Sequence, residues 1–153
     1  MFRKVLYPTD FSKEAERALE YVKRLREAGG EEVVVLHVVE KGIVDAYEEA
    51  FAWAGKDVEA ETEKLDEKLI EKAREQMKTI TDELKRNGFR VKEIVRIGTP
   101  WEEILKVADS EDVSLIVMGS HGCGRLGCEL EKLIGSTAEN VVRHAKKPVL
   151  VVR

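Results

Sequence analysis

Short apolar runs alternate with longer stretches of helical period along this chain. Five runs rich in β-branched residues have the length of buried strands and are bounded by glycine, proline or charged residues. They cover residues 5–7, 33–39, 91–97, 115–118 and 149–152. Because these runs are almost continuously apolar, they predict a parallel sheet covered by helices on both faces.

Four of the intervening stretches carry apolar residues at the spacing of one helix face. The stripes are Ala15, Ala18, Leu19, Val22 and Leu25; Val58, Leu65, Leu69, Ala73, Met77, Ile80 and Leu84; Ile104, Leu105 and Ala108; and Ala138, Val141, Val142 and Ala145. Ser12 is the expected cap of the first helix, Asn87-Gly88 the end of the second, and Thr99-Pro100 the start of the third. The pattern therefore predicts a doubly wound α/β fold.

Residues 42–56 fit this alternation least well. They mix Ile43, Tyr47, Phe51 and Trp53 with acidic and small residues. We predict a helical excursion that packs on the sheet or on a second subunit, with Trp53 and Trp101 as packing residues.

Length and charge narrow the possible partners. A chain of 153 residues has the size of one domain, so we expect a single domain over residues 1–153. The net charge is -4 and no stretch is strongly basic, so nucleic acid is not an expected partner. The apolar runs are too short to cross a bilayer and the start lacks a signal-peptide layout, so we expect a cytoplasmic protein with no membrane contact.

The segment from Gly119 to Ser136 contains the strongest chemical signal. Five glycines fall between positions 119 and 135, directly after the fourth strand, and Ser136 and Thr137 begin the fourth helix. Glycine lets backbone N–H groups approach a bulky anion, and a helix N-terminus adds further N–H groups and a positive dipole end. The segment thus favours phosphate binding, although glycines also serve merely to turn a chain.

The turn after the first strand is the second candidate segment. In a doubly wound sheet, Thr9 and Asp10 would line the same crevice as Gly119 and Gly122. The Asp10 carboxylate could accept hydrogen bonds from a ribose or help to hold a metal ion. Equally, it could simply belong to the polar turn that starts the first helix.

Four segments together resemble the universal stress protein family. They are V-L-Y-P-T-D-F-S from Val5, V-L-H-V-V from Val35, I-V-M-G-S-H-G from Ile116, and G-S-T-A-E-N-V-V-R-H-A-K-K-P-V-L-V-V from Gly135. The similarity runs over the whole chain. It implies a five-stranded parallel sheet of order 3-2-1-4-5, a homodimer formed partly through the last strand, and, in one branch of the family, bound ATP.

The resemblance also assigns site residues position by position. Adenine and ribose would be surrounded by Pro8, Thr9, Asp10 and Val38, and Gly119 would lie by the ribose. The phosphates would be held by Gly122, Gly135, Ser136 and Thr137. The expected ligand is ATP, or AMP or ADP, together with Mg²⁺, and no residue is assigned a catalytic or metal-binding role.

One departure from the family pattern concerns the phosphate segment. ATP-binding members have the motif G-x2-G-x9-G-[ST], whereas twelve residues separate Gly122 from Gly135 here. The three extra residues either bulge outward while both ends keep their places, or displace the phosphate-facing N–H groups. Cys123 and Cys128 lie in this segment. They could form a reversible disulfide or half of a metal site, or they could be two ordinary thiols.

Three functions are consistent with these residues. The leading hypothesis is an ATP-binding stress-response or regulatory protein that acts as a conformational switch with little or no turnover. The alternatives are a nucleotide-free dimeric interaction protein of the same family and a slow ATP hydrolase. For hydrolysis, His121 is a weak candidate base because no second acid–base group stands at a meaningful spacing, and the partner that would receive a signal is unknown.

Overall fold

The computed structural model describes residues 1–120 and 135–153. Strands and helices alternate as the sequence pattern predicts. The elements are β1 (Lys4–Pro8), α1 (Lys13–Arg24), β2 (Glu32–Glu40), α2 (Lys41–Trp53), α3 (Val58–Arg86), β3 (Arg90–Gly98), α4 (Pro100–Ser110), β4 (Leu115–Gly119), α5 (Ser136–His144) and β5 (Val149–Val152). All of the predicted strands and helices are confirmed.

The strands form one parallel sheet of order β3-β2-β1-β4-β5 within the described ranges, as predicted. β1 lies at the centre, where Val5 is in register with Val33 of β2 and with Leu115 of β4. The chain leaves β1 toward β2 on one side and later returns to β4 on the other. The strand order therefore reverses between β1 and β4, and this is where α/β sheets bind ligands.

Alternate residues of each strand enter two separate cores. Val5 and Tyr7 pack with α1 and α3 on one face, whereas Leu6 packs with α4 and α5 on the other. A β-strand points successive side chains to opposite faces of the sheet, so each strand contributes to both cores. Helices cover both faces. The doubly wound architecture with helices on both faces is confirmed.

The helix ends follow the predicted chemistry with one exception. Ser12 Oγ accepts a hydrogen bond from the N–H of Ala15 at 3.2 Å and so caps α1. Asn87 ends α3 and is followed by Gly88 at φ +93°, the left-handed conformation that favours glycine. Thr99 does precede Pro100 at the start of α4, but its side chain makes no capping hydrogen bond.

Residues 42–56 are largely helical, as predicted, and α2 packs against α3. Val44 is the buried residue of α2, while Tyr47 is half-exposed and Trp53 is 86% exposed. The prediction that Trp53 is a packing residue is therefore wrong within this chain. Trp101, in contrast, packs at the edge of the core formed with α4 and α5.

Ion pairs hold α4 to the opposite edge of the sheet, where the strands begin. Glu111, directly after α4, accepts hydrogen bonds from Lys92 Nζ at 2.6 Å and from Lys4 Nζ at 3.0 Å. These two ammonium groups, Lys92 first, hold the pKa of the Glu111 carboxyl below its usual range. In the part of the chain that is described, no helix is long and apolar enough to cross a membrane.

Candidate functional site

A cavity of about 440 Å³ opens at the carboxyl edge of the sheet, where the strand order reverses. This volume lies within the range of small-molecule sites, roughly 300–1,000 Å³. It is walled by the ends of β1, β2 and β4 and by the starts of α1, α4 and α5. The lining residues are Pro8, Thr9, Asp10, Ser12, Ala15, Leu36, Val38, Glu40, Pro100, Ile104, Met118, Gly119, Ser120, Gly135, Ser136, Thr137 and Ala138.

The turn between β1 and α1 is held by hydrogen bonds within itself and to β2. The N–H of Thr9 donates to Leu36 O at 2.8 Å, which extends the β1–β2 pairing by one residue. Asp10 Oδ1 accepts from the N–H of Ser12 at 2.9 Å, so this carboxylate does belong to the turn. Asp10 is also exposed and lines the cavity, so both interpretations of its role have a structural basis.

Gly119 allows β4 and α1 to approach closely. A Cβ at this position would lie 2.9 Å from the carbonyl carbon of Glu14 and 3.1 Å from the N of Ala15. The hydroxyl of Tyr7, whose pKa is raised by burial, donates to the Ala15 carbonyl from the adjacent strand. Packing between β4 and α1 is therefore sufficient reason for a glycine at this position.

The first turn of α5 faces the same cavity. Gly135 is the N-cap, and its own N–H donates to Ser120 O at 2.6 Å. The first intrahelical bond runs from Glu139 N to Gly135 O, so helix geometry leaves the N–H groups of Ser136, Thr137 and Ala138 without an intrahelical partner. Such N–H groups, together with the positive end of the helix dipole, favour negatively charged groups.

The charged side chains of the described cavity wall are both acidic. Asp10 lies at one end of the wall and Glu40 at the end of β2, and no lysine or arginine occurs among the described lining residues. Positive potential on this wall thus comes from backbone N–H groups rather than from side chains. Among residues 1–120 and 135–153 there is no cluster of three or more metal-ligating side chains.

The cavity brings together eight of the nine residues that the sequence assigns to a nucleotide. Pro8, Thr9, Asp10, Val38, Gly119, Gly135, Ser136 and Thr137 all line it. Gly122 lies outside the described residues, as do His121, Cys123 and Cys128.

Sequence reasoning missed part of the apolar wall and one carboxylate. Leu36, Ile104 and Met118 line the cavity but have the pattern of ordinary core residues, so nothing in the sequence separates them from the core. Glu40 and Pro100 could have been identified from the sequence as candidate site residues. Glu40 follows the predicted second strand, and Pro100 begins a predicted helix.

Together the fold and the cavity define the class of the protein. It is a doubly wound α/β domain with a ligand-sized cavity at the reversal of strand order and a helix N-terminus aimed into it. The universal stress protein family model matches residues 1–153, and the chain belongs to that family.

Individual relatives agree with this assignment. Universal stress protein MJ0577 of Methanocaldococcus jannaschii is 44% identical over 158 residues, covering 100% of this chain and 96% of the relative. A solved structure of MJ0577 superposes with a TM-score of 0.85 at 43% identity, over 99% of this chain and 96% of that one. The high coverage shows that the likeness extends over nearly the whole length of both chains.

Two more distant structures contain adenine nucleotides. A universal stress protein in complex with cAMP is 20% identical, with a TM-score of 0.63 over 99% of this chain and 97% of that one. The universal stress protein from Archaeoglobus fulgidus in complex with dAMP is 24% identical, with a TM-score of 0.64 over 100% and 98%. At these identities the likeness concerns the fold.

Proposed function

We propose that this protein binds an adenine nucleotide, ATP in the first instance, in the cavity at the carboxyl edge of the sheet. The observation that carries the proposal is the meeting of Thr9 and Asp10 from the β1 turn with Ser136 and Thr137 from α5 in one cavity. These residues are more than a hundred positions apart in the sequence. Structural neighbours that contain cAMP and dAMP support the same class of ligand.

The two ends of the cavity suit the two ends of a nucleotide. Leu36, Val38 and Ile104 give one region an apolar wall on which a base can pack. The N–H groups at the start of α5, which have no partner within the helix, suit phosphate. Since the Gly135 N–H is bonded to Ser120, the proposed phosphate donors are those of Ser136 and Thr137, and Gly135 serves as the cap that orients them.

A divalent cation is proposed to enter with the nucleotide. The described wall carries Asp10 and Glu40 but no cationic side chain, so a triphosphate bound there would keep its own charge unless a cation accompanied it. Mg²⁺ commonly binds through one or two carboxylates plus substrate phosphates, which fits this donor set. The candidate protein ligands are Asp10 and Glu40.

The proposed role of binding is regulatory. Residues 121–134 connect β4 to α5, and both ends of this segment border the cavity at Ser120 and Gly135. A ligand between the β1 turn and α5 would therefore contact both sides of the fold and favour conformations in which these two elements are held together. No described residue is assigned to hydrolysis, so turnover is expected to be slow or absent.

Thermal unfolding with and without Mg-ATP tests the proposal. A ligand present at a hundred times its Kd should stabilise the folded state by about 2.7 kcal/mol. For a domain of this size each kcal/mol raises the Tm by roughly 2–4 °C, so the shift is easily measured. Adenosine, inorganic triphosphate and Mg²⁺ alone are the controls. An unchanged Tm at millimolar Mg-ATP would refute the proposal.

A nucleotide-free function through protein contacts is the second candidate. It is favoured by exposed aromatic side chains on α2 that a partner protein could cover: Tyr47 is 48% exposed and Trp53 is 86% exposed. A homodimer through β5, which is the edge strand next to β4 in the described sheet, is proposed for either function. Freshly purified protein that contains no nucleotide and shows no Tm shift would favour this candidate.

A further inference from the structure

A histidine on β2 holds the turn that carries Thr9 and Asp10. His37 Nδ1 lies 2.8 Å from the carbonyl oxygen of Thr9. A carbonyl oxygen only accepts hydrogen bonds, so Nδ1 carries the proton and donates it. Because Thr9 lines the cavity, the hydrogen-bond partner of His37 lies in the cavity wall.

The same turn contains a residue in a conformation that needs support. Phe11 has φ +64°, in the left-handed region that an aromatic residue rarely adopts. Its ring stacks on the His37 ring, with 4.6 Å between centroids and 29° between planes. Its N–H donates to Thr9 Oγ1 at 3.0 Å. Such a backbone persists only where its surroundings over-determine it, and His37 contacts both sides of the turn.

We propose that His37 is a positioning residue for the base and ribose end of the nucleotide site. Its Nδ1–H fixes the Thr9 carbonyl, and its ring supports Phe11, so that Thr9 and Asp10 are presented to the cavity in one orientation. This inference rests on the proposed function. It goes further, because it assigns the orientation of the β1 turn to a side chain that does not line the cavity.

Two variants separate the hydrogen bond from the ring. His37→Asn loses the ring but keeps an N–H donor at nearly the position of Nδ1, whereas His37→Leu loses both. Losing one neutral hydrogen bond corresponds to roughly a three- to tenfold change in affinity. In the absence of Mg²⁺ we expect His37→Leu to weaken adenosine and ATP binding by the same factor within this range, and His37→Asn to bind both more tightly than His37→Leu does.

The phosphate end of the site supplies the internal control. Inorganic triphosphate without Mg²⁺ has no base or ribose and brings no cation to Asp10, so its affinity should be the same in the wild-type protein and in both variants. Affinities are measured by isothermal titration calorimetry, and urea unfolding without ligand reports the stability of each variant. In the wild-type protein, long-range ¹H–¹⁵N spectra should show a proton on His37 Nδ1.

The outcomes distinguish this inference from the proposed function. If the wild-type protein binds adenosine and His37→Leu binds it equally well, the positioning role is refuted while nucleotide binding stands. If the two variants lose the same amount, the hydrogen bond to Thr9 is refuted as the means of positioning. If a variant loses triphosphate affinity by the same factor as adenosine affinity, the substitution disrupts the whole site, and the positioning role is again refuted. If the wild-type protein binds neither adenosine nor ATP, the proposed function fails, and the positioning role fails with it.

Discussion

A single charge at the start of α5 tests whether phosphate binds there. Ser136 is exposed, is the first residue of α5, and lines the cavity. Ser136→Glu places a carboxylate where the proposal puts a phosphate, while Ser136→Gln adds a neutral side chain of the same size. An acidic residue in the first turn of a helix is favourable by about 0.3–1 kcal/mol, so the glutamate variant should fold at least as stably as the wild-type protein.

The magnitude follows from the separation of the two negative charges. At about 5 Å, one pair of unit charges repels by roughly 0.8 kcal/mol in water and 3 kcal/mol at the lower dielectric of a protein surface. Because Ser136 is exposed, we expect about 1–2 kcal/mol, or a roughly five- to thirtyfold weaker Kd for ATP. Adenosine carries no phosphate, so its affinity should be the same in both variants.

Isothermal titration of ATP and of adenosine, at low and at moderate salt, measures both effects. The ATP loss in Ser136→Glu should shrink as salt is raised, because screening weakens the repulsion between exposed charges. Equal ATP losses in the glutamate and glutamine variants would assign the effect to size. A glutamate variant that binds ATP as tightly as the glutamine variant would show that no phosphate lies near α5.

Three further predictions concern the fold and its assembly. Glu111→Gln should lower the free energy of unfolding by about 1 kcal/mol at pH 7. Since the folded pKa of Glu111 is depressed, the difference from wild type in pH-dependent urea titrations should disappear as pH falls below the usual carboxyl range. Gly119→Ala should destabilise by about 1–3 kcal/mol because its Cβ meets backbone, whereas Gly42→Ala, inside α2 with nothing within 4 Å, should stabilise by about 0.5–1 kcal/mol. Val151→Pro should convert the proposed dimer to a monomer in light scattering, with Val151→Ala as the packing control. The reason is that the residues beside Val151 on β5 bond to β4, whereas its own N–H points away from β4. An unchanged dimer would exclude pairing through this edge.

The strands could be predicted because their signal is local. A β-branched run such as residues 33–39 can be recognised from its composition and from the charged residues around it. The exposure of Trp53 could not be predicted, because a sequence shows which residues are apolar but not what covers them. Among the described residues of α2 only Val44 is buried, whereas Ile43, Tyr47 and Trp53 are exposed.

Only the parts of the site that lie in recognisable backbone motifs could be predicted from the sequence. The glycines and the Thr9–Asp10 turn mark the ends of strands, and parallel topology brings such ends to one edge. The bond between the Gly135 N–H and Ser120 depends on how two distant ends meet, and no local pattern encodes it. The role of His37 is similar: a histidine inside an apolar strand gives no sign of which carbonyl it will reach.

The Ser120–Gly135 bond bears on the extra length of the phosphate segment. Fourteen residues separate these two, three more than the family spacing would give. The entropic cost of closing a connection grows with the logarithm of its length, so three more residues cost about 0.2 kcal/mol. One backbone hydrogen bond contributes roughly 0.5–1.5 kcal/mol, which is enough to offset that cost. The added length is therefore compatible with an unchanged start of α5, and the donors of Ser136 and Thr137 do not depend on it. The three residues can alter the phosphate contact that the family resemblance predicts for Gly122, so shortening the segment to the family spacing should change ATP affinity while leaving adenosine affinity unchanged.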